Sequence, residues 1–219
     1  MRFRDRREAG RELAERLRTR QDEGALPDPV VLALPRGGVA VAEEVARALA
    51  APLDVLVVRK IGAPFHEEYG VGAMAGDEVP LFDADALRRL GLDATDLAPV
   101  IERERAELRR RERLYRRGRP APELRGRSVI VVDDGLATGS TARAALRSLR
   151  RQDPARIVLA APVCSPDAAE LMRAEADEVV CLSEPAGFMA VGQWYDDFEQ
   201  LTDEDVLTAL HGHEGRVGP

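Results

Sequence analysis

Five short apolar runs punctuate the chain, and the segments between them carry apolar residues at helical spacing. The runs are Val30-Val31-Leu32-Ala33-Leu34, Leu53 to Val58, Val129-Ile130-Val131-Val132, Ile157 to Ala161 and Glu178-Val179-Val180-Cys181-Leu182. They are rich in β-branched residues and lack apolar/polar alternation, as strands buried on both faces of a parallel sheet do. Val41, Val45, Ala48 and Leu49 recur at helical spacing, and so do Ala142, Ala145, Leu146 and Leu149; residues 165–175 add another helix. Strands alternating with helices in this way predict an α/β fold built on a doubly wound, parallel, five-stranded sheet.

Other segments are read around that core. Residues 5–20 form an amphipathic helix with Gly10, Leu13, Ala14 and Leu17 on one face, a cover for the sheet. Gly62 to Gly76 is loop-like, and Val71–Ala75 and Glu78–Phe82 can pair as a short hairpin around Gly76-Asp77. Asp96 to Arg117 is a long polar helix; from Arg103 to Arg119 it holds nine arginines and three glutamates, with i/i+4 pairs such as Glu107–Arg111 and Glu112–Arg116. It reads as a solvated helix with a subunit contact, or as a lid. Thr202-Asp203-Glu204-Asp205 starts a last helix that docks through Val206, Leu207 and Leu210, and the tail from His211 to Pro219 frays.

The chemistry concentrates in Ser128 to Thr141, S-V-I-V-V-D-D-G-L-A-T-G-S-T. A strand ends in two adjacent carboxylates, Asp133 and Asp134. Gly135, Ala137 and the run Thr138-Gly139-Ser140-Thr141 then open a helix. A helix N-terminus has unpaired N–H groups and a partial positive charge, and small residues let a phosphate approach them. The aspartates cannot serve that same anion, so their partners are sugar hydroxyls or a divalent cation. Ribose 5-phosphate offers a phosphate and a vicinal diol together. The first strand ends similarly in Pro35-Arg36-Gly37-Gly38, where Arg36 adds a cation suited to a polyphosphate. Arg59-Lys60, read as the end of the second strand, adds two more. In such a sheet these groups gather at one carboxyl edge, where ligands bind.

Val131 to Thr141 resembles the phosphoribosyl-diphosphate (PRPP) signature of type I phosphoribosyltransferases. The resemblance covers about Val30 to Phe198, and Leu34 to Gly38 with Ala190-Val191-Gly192 is similar to a bacterial subgroup whose acceptor is unassigned. It implies transfer of 5-phosphoribosyl from PRPP to a nitrogen nucleophile, a nucleobase, with release of pyrophosphate. It further implies that Asp133 and Asp134 hold the ribose hydroxyls and Thr138, Gly139, Ser140 and Thr141 the 5-phosphate, with Gly135 and Ala137 also in the PRPP site. Arg36, Gly37, Gly38, Arg59 and Lys60 would hold the pyrophosphate, on a loop that in this family often carries a non-proline cis peptide. Asp133, Asp134 and Lys60 become the catalytic candidates. Mg²⁺ would be held mostly by PRPP, with Asp133, Asp134 and Asp196 near it. Residues 61–120 become a lid insertion and 183–202 a hood around the core of 30–182, all in one domain. Phe188, Val191, Trp194 and Tyr195 would then face the base, since a loop this aromatic can stack on a flat nucleophile. Phe188-x-x-Val191-Gly192 is similar to the hood of purine phosphoribosyltransferases, but those carry a lysine for a 6-oxo group and none stands between Leu182 and Trp194. The family expectation is a homodimer sharing the lid. The alternative is a regulatory protein of the same fold that senses PRPP or a nucleotide without catalysis. A receiver-like phosphorylation domain would need a further aspartate ending a later strand, and none is found.

Composition narrows these readings. In 219 residues, 45% are hydrophobic, enough for one α/β domain with a core. A net charge of −7, with glutamates interleaved among the arginines, argues against nucleic acid as a partner. Cys164 and Cys181 form no C-x-x-C pair and read as buried reduced thiols. With no apolar stretch at Met1 to Arg6 and none long enough for a membrane span, the expectation is a cytoplasmic protein. His66 is the loop's tempting base, although a lone loop histidine is more often incidental.

Overall fold

The computed structural model describes residues 1–76 and 79–214. Its core is a five-stranded parallel sheet built from β1 (Pro29–Ala33), β2 (Leu53–Val55), β6 (Ser128–Val132), β7 (Arg156–Val163) and β8 (Glu178–Ser183), in the order β2-β1-β6-β7-β8. The side-chain period of two sends alternate residues to opposite faces. Val31, Ala33, Ile130, Val132, Val158 and Ala160 pack with helices α1 (Arg6–Asp22) and α2 (Gly38–Leu49). Val30, Leu32, Val129, Val131, Ile157 and Leu159 pack with α5 (Ser140–Arg150) and α6 (Pro166–Arg173). Both faces are therefore apolar, which is why the strands read as continuous runs.

The chain departs from expectation after β2. That strand stops at Val55, and Val58 to Ala63 forms β3 of a separate antiparallel sheet with β4 (His66–Ala75) and β5 (Leu81–Phe82). Gly62 to Gly76 is thus mostly strand rather than loop. Close packing explains part of this: a Cβ on Gly62 would sit 2.1 Å from the Glu67 carbonyl oxygen, and one on Gly72 would sit 2.6 Å from that of Leu81. Gly72 pairs with Phe82 and Ala73 with Leu81; of the turn expected around Gly76-Asp77, Gly76 stands at φ 54° and Asp77 lies outside the described residues. Ile61, Ala63, Val71 and Met74 join the core that also holds Leu97, Val100 and Leu108 of the long helix α4 (Ala94–Arg116), which follows the short α3 (Ala84–Leu90). The arginine-rich helix therefore has a buried face. Several of its arginines are paired, as Arg110 to Glu107 at 2.7 Å and Arg111 to Glu107 at 2.8 Å, and Arg116 reaches Asp54 at 3.0 Å.

The last helix, α7 (Asp203–Glu214), runs through residues expected to fray, because His213 is buried with its Nε2 2.8 Å from the Ala51 carbonyl oxygen. Residues 215–219 of the expected tail lie outside the described part. Phe3 pairs with Tyr195 in a parallel bridge, so the N-terminal segment closes on the segment after β8. The free thiols Cys164, buried, and Cys181, half-buried, lie on or just past β7 and β8. Among the described residues no helix is long and apolar enough to cross a membrane.

Helix α1 packs on α2 with almost no gap at Gly10, where a Cβ would lie 2.9 Å from both Glu44 Cβ and the Val41 carbonyl oxygen. Gly10→Val is expected to destabilise the fold by about 1–3 kcal/mol through overpacking. Chemical denaturation measures this, and an unchanged midpoint would contradict the tight α1–α2 contact.

Candidate active site

Order along the chain and order in the sheet reverse between β1 and β6. From β1 the chain steps outward to β2, and from β6 it steps the other way to β7. The two strands are adjacent, so the loops that leave them part around a crevice at the carboxyl edge, the usual ligand position in open α/β sheets. Both loops lead into helices whose N-cap is glycine, Gly37 for α2 and Gly139 for α5. By contrast α1, α3, α4 and α6 are capped by the side chains of Asp5, Asp83, Asp93 and Ser165. Neither glycine supplies a capping side chain: at α2 the N–H groups of Gly38 and Val39 turn instead to the Leu34 and Arg36 carbonyls, and at α5 Ser140 N donates to Thr138 Oγ1 at 3.4 Å, so the head of α5 faces the crevice with small residues and hydroxyls that suit an anion.

The two loops touch. A Cβ on Gly37 would fall 2.0 Å from Asp134 Oδ2, and one on Gly38 would fall 2.6 Å from the Val132 carbonyl oxygen. The Pro35–Arg36 peptide is cis, as the resemblance implied. On the other side Leu136 N donates to the Val163 carbonyl at 2.9 Å, and Ser165 Oγ donates to that of Ala137 at 2.7 Å. Gly139 stands at φ 70°, in the left-handed region; its Cβ would meet Met172 Cε at 3.2 Å. The loop after β6 is held at both ends.

Within it lies a cleft of about 180 Å³ lined by Lys60, Asp133, Gly135, Ala137, Thr138, Gly139, Ser140, Thr141 and Val191. Thr138 Oγ1 and Ser140 Oγ lie 3.1 Å apart, two hydroxyls at the N-terminus of α5, where Ser140 N donates to Thr138 Oγ1 at 3.4 Å. A wider cleft of about 380 Å³ under the β3–β5 sheet shares Lys60, Thr138 and Ser140. Another, of about 420 Å³, runs from Ala137 and Thr138 to Ser165, Phe188 and Met189. Thr138 is where the three meet.

The two aspartates are not equivalent. Asp133 lines the cleft and accepts the Asp134 N–H at 2.9 Å. Burial, and then the neighbouring charge of Asp134, push its carboxyl well above the ordinary value. Asp134 accepts from Arg6 Nε at 2.7 Å, and the two side chains are 13% and 10% exposed. Burial raises its pKa too, against the pull of Arg6.

Several expected site residues sit elsewhere. Arg59 and Lys60 do not end a parallel strand; as neighbours on β3 they point to opposite sides. Lys60 reaches the cleft, while Arg59 is bound at 2.6 Å to the buried Glu104. Arg36 is partly exposed with Asp203 Oδ1 3.9 Å away. Asp196, expected near a metal, is exposed and paired with Arg2 at 2.7 Å. Tyr195, expected against the base, is 2% exposed because it stacks with Phe198 at 5.0 Å between centroids and donates its hydroxyl to the Asp134 carbonyl at 2.6 Å. Trp194 packs half-buried in the same cluster, whereas Phe188 and Val191 do line clefts. His66 is exposed at the β3–β4 turn and lines none of these clefts. Sequence reasoning passes over Arg6. Its signal is its phase: it precedes Gly10, Leu13 and Leu17 at i+4, i+7 and i+11, a charge on the apolar stripe of α1.

Comparisons with known proteins accord with this geometry. Residues 5–196 match the family model described as "Phosphoribosyl transferase domain". Two Mycobacterium tuberculosis proteins, from strains CDC 1551 / Oshkosh and H37Rv and both named "Putative phosphoribosyl transferase", are 47% identical over 208 residues. Those residues are 95% of this chain but 46% of each relative, so the chain spans about half the length of the curated relatives it matches. The crystal structure of TT1426 from Thermus thermophilus is 48% identical, with a TM-score of 0.83 over 96% of this chain and 98% of that one.

Gly37→Ala is expected to drive Asp134 off its seat and cost about 1–3 kcal/mol. A melting temperature equal to that of the parent would show that the two loops do not press together.

Proposed function

The chain belongs to the phosphoribosyl transferase family, and on that premise we propose that it transfers 5-phosphoribosyl from PRPP to a nitrogen of a nucleobase-like acceptor, releasing pyrophosphate. One observation carries the reading most directly: Asp133, Lys60 and the Gly135–Thr141 loop line a single cleft at the crevice where the sheet order reverses. The 5-phosphate would sit on the α5 N-terminus with Thr138, Gly139, Ser140 and Thr141. Asp133 would accept from the ribose hydroxyls. The diphosphate would extend toward the Pro35–Gly38 turn at the head of α2, with Arg36 and Lys60 as its cations. Phe188 and Val191 would border the acceptor.

In the reaction the bond from C1 of the ribose to the diphosphate oxygen breaks, a C1–N bond forms and the acceptor nitrogen loses a proton. An oxocarbenium-like C1 develops, so orientation and stabilisation of the leaving diphosphate supply most of the acceleration. Lys60 stands on a sheet that covers the phosphate loop, which suits a lid that keeps water from the activated sugar. As for Mg²⁺, no group of three or more His, Cys, Asp or Glu side chains among the described residues forms a metal site, and Asp134 and Asp196 are held by arginines. The side chains therefore build no cage, and a Mg²⁺ ion would have to be carried by oxygens of PRPP itself, where it would neutralise diphosphate charge.

Pyrophosphate release across a panel of bases tests the activity. Release with at least one base is expected. Tight PRPP binding with no release for any base would favour a sensor of the same fold. Two variants test the site. Gly139→Val, which forces a branched side chain into φ 70°, should abolish PRPP binding. Asp133→Asn should weaken PRPP about 10- to 100-fold while leaving inorganic phosphate nearly unaffected, because only the diol contacts are lost. Calorimetry reads both ligands, and equal losses would remove the diol assignment.

A further inference from the structure

Asp134 is held from three directions although its side chain stays 13% exposed. Its Oδ2 takes the Arg6 Nε hydrogen at 2.7 Å and presses against the Gly37 backbone, where a Cβ would come within 2.0 Å. Its carbonyl oxygen takes the Tyr195 hydroxyl at 2.6 Å. Arg6, 9% exposed, does three things at once: it binds Asp134, donates from NH1 to the Glu199 carbonyl at 2.8 Å, and lays its guanidinium carbon 3.8 Å from the centre of the Phe198 ring. A planar fork can serve a carboxylate, a carbonyl and an aromatic face together; a lysine ammonium cannot. Asp133 has none of these constraints and opens on the cleft.

We infer that Arg6 and Asp134 are positioning residues, a buried strut that fastens the Pro35–Gly38 turn and the segment around Tyr195 and Phe198 to the rim, and that Asp133 alone of the acidic pair grips the sugar diol. The inference rests on the reading of the cleft as a PRPP site. It assigns Arg6, on a helix that otherwise only covers the sheet, a role in substrate affinity exercised through Asp134. It also divides two adjacent aspartates that the family resemblance would treat alike.

The test uses the full chain, with PRPP and inorganic phosphate as calorimetric ligands and thermal melting alongside. Arg6→Met strands a buried carboxylate and should weaken PRPP at least about tenfold. Arg6→Gln, which keeps a donor but no charge, should weaken it less and serves if the methionine variant does not fold. Asp134→Asn, whose amide oxygen can still accept from Arg6, should lose far less than Asp133→Asn. The deciding variant is the double replacement Arg6→Met/Asp134→Asn. With no stranded charge left, it should recover most of the PRPP affinity that Arg6→Met alone loses. A merely structural or a diol-binding Asp134 gives no such rescue. The inference is overturned if Asp134→Asn loses as much PRPP affinity as Asp133→Asn, or if the double variant binds PRPP no better than Arg6→Met. Failure of the parent chain to bind PRPP while it still binds phosphate would refute the PRPP reading itself.

Discussion

Two carboxylates at the head of a buried strand set the terms for the rest of this molecule. Side by side at the end of β6, Asp133 and Asp134 are both removed from water, and each charge makes the other harder to hold. The fold answers the two differently. Asp134 receives a cation from α1, and the backbone of the neighbouring turn closes over it. Asp133 receives only one backbone N–H in the described structure and faces a cleft. Asp134 thus has an arginine bound to it, whereas the Asp133 carboxyl is left facing the cleft with its pKa well above the ordinary value. The glycines at 37 and 38 follow from the same constraint, because any side chain there would displace the acid pair or its strand.

The second organising feature is the antiparallel sheet that breaks the αβ rhythm. It brings Lys60 over the hydroxyl loop and sends Arg59 into Glu104 on the long helix. One residue of strand separates a cation that lines the cleft from a cation consumed by structure. The period of two decides it, and the pairing of Arg59 with Met74 and Lys60 with Ala73 fixes the register. The buried Glu104 shows what the arginine-rich helix is for locally: it faces this sheet with Leu97, Val100, Leu108 and one neutralised carboxylate, while other charges pair along the helix, as Arg110 with Glu107, or reach off it, as Arg116 to Asp54 and Arg103 to Glu67.

What the sequence makes legible is what depends on local pattern. The five parallel strands, the helices between them and the loop after β6 are each written in contiguous residues, so periodicity and small-residue runs are enough to place them. The junction at Val55 to Val58 escapes such reading because an apolar run continues through it; only the choice of partner, β1 behind for Leu53–Val55 and β4 ahead for Val58–Ala63, divides the two. Tyr195 escapes it for a related reason. Its aromatic ring suggests a base platform, but the competitor for that ring is Phe3, nearly the whole chain away. Arg6 goes unnoticed because a charge near a helix start is ordinarily solvated, and its phase with Leu13 and Leu17 acquires meaning only when the stripe is known to be buried.

The segments that complete the rim are far apart in sequence, one before and at the start of α1 and the other between β8 and α7. Phe3 and Arg6 from the first meet Tyr195, Phe198 and Glu199 from the second, and both meet on Asp134. Contacts between such distant residues carry a large loop-closure cost unless something else has already brought the two segments together. Here the sheet does so, since α1 packs beside β7 and β8 through Leu13 and Leu17, and the segment after β8 leaves from the same edge. The Arg6–Asp134 pair therefore depends on the sheet for its geometry. A rim closed in this way is complete only in the folded whole. The loops after β1 and β6 can be recognised in isolation, but the burial of Asp134, and with it the asymmetry of the acid pair, exists only once the two segments have met over it.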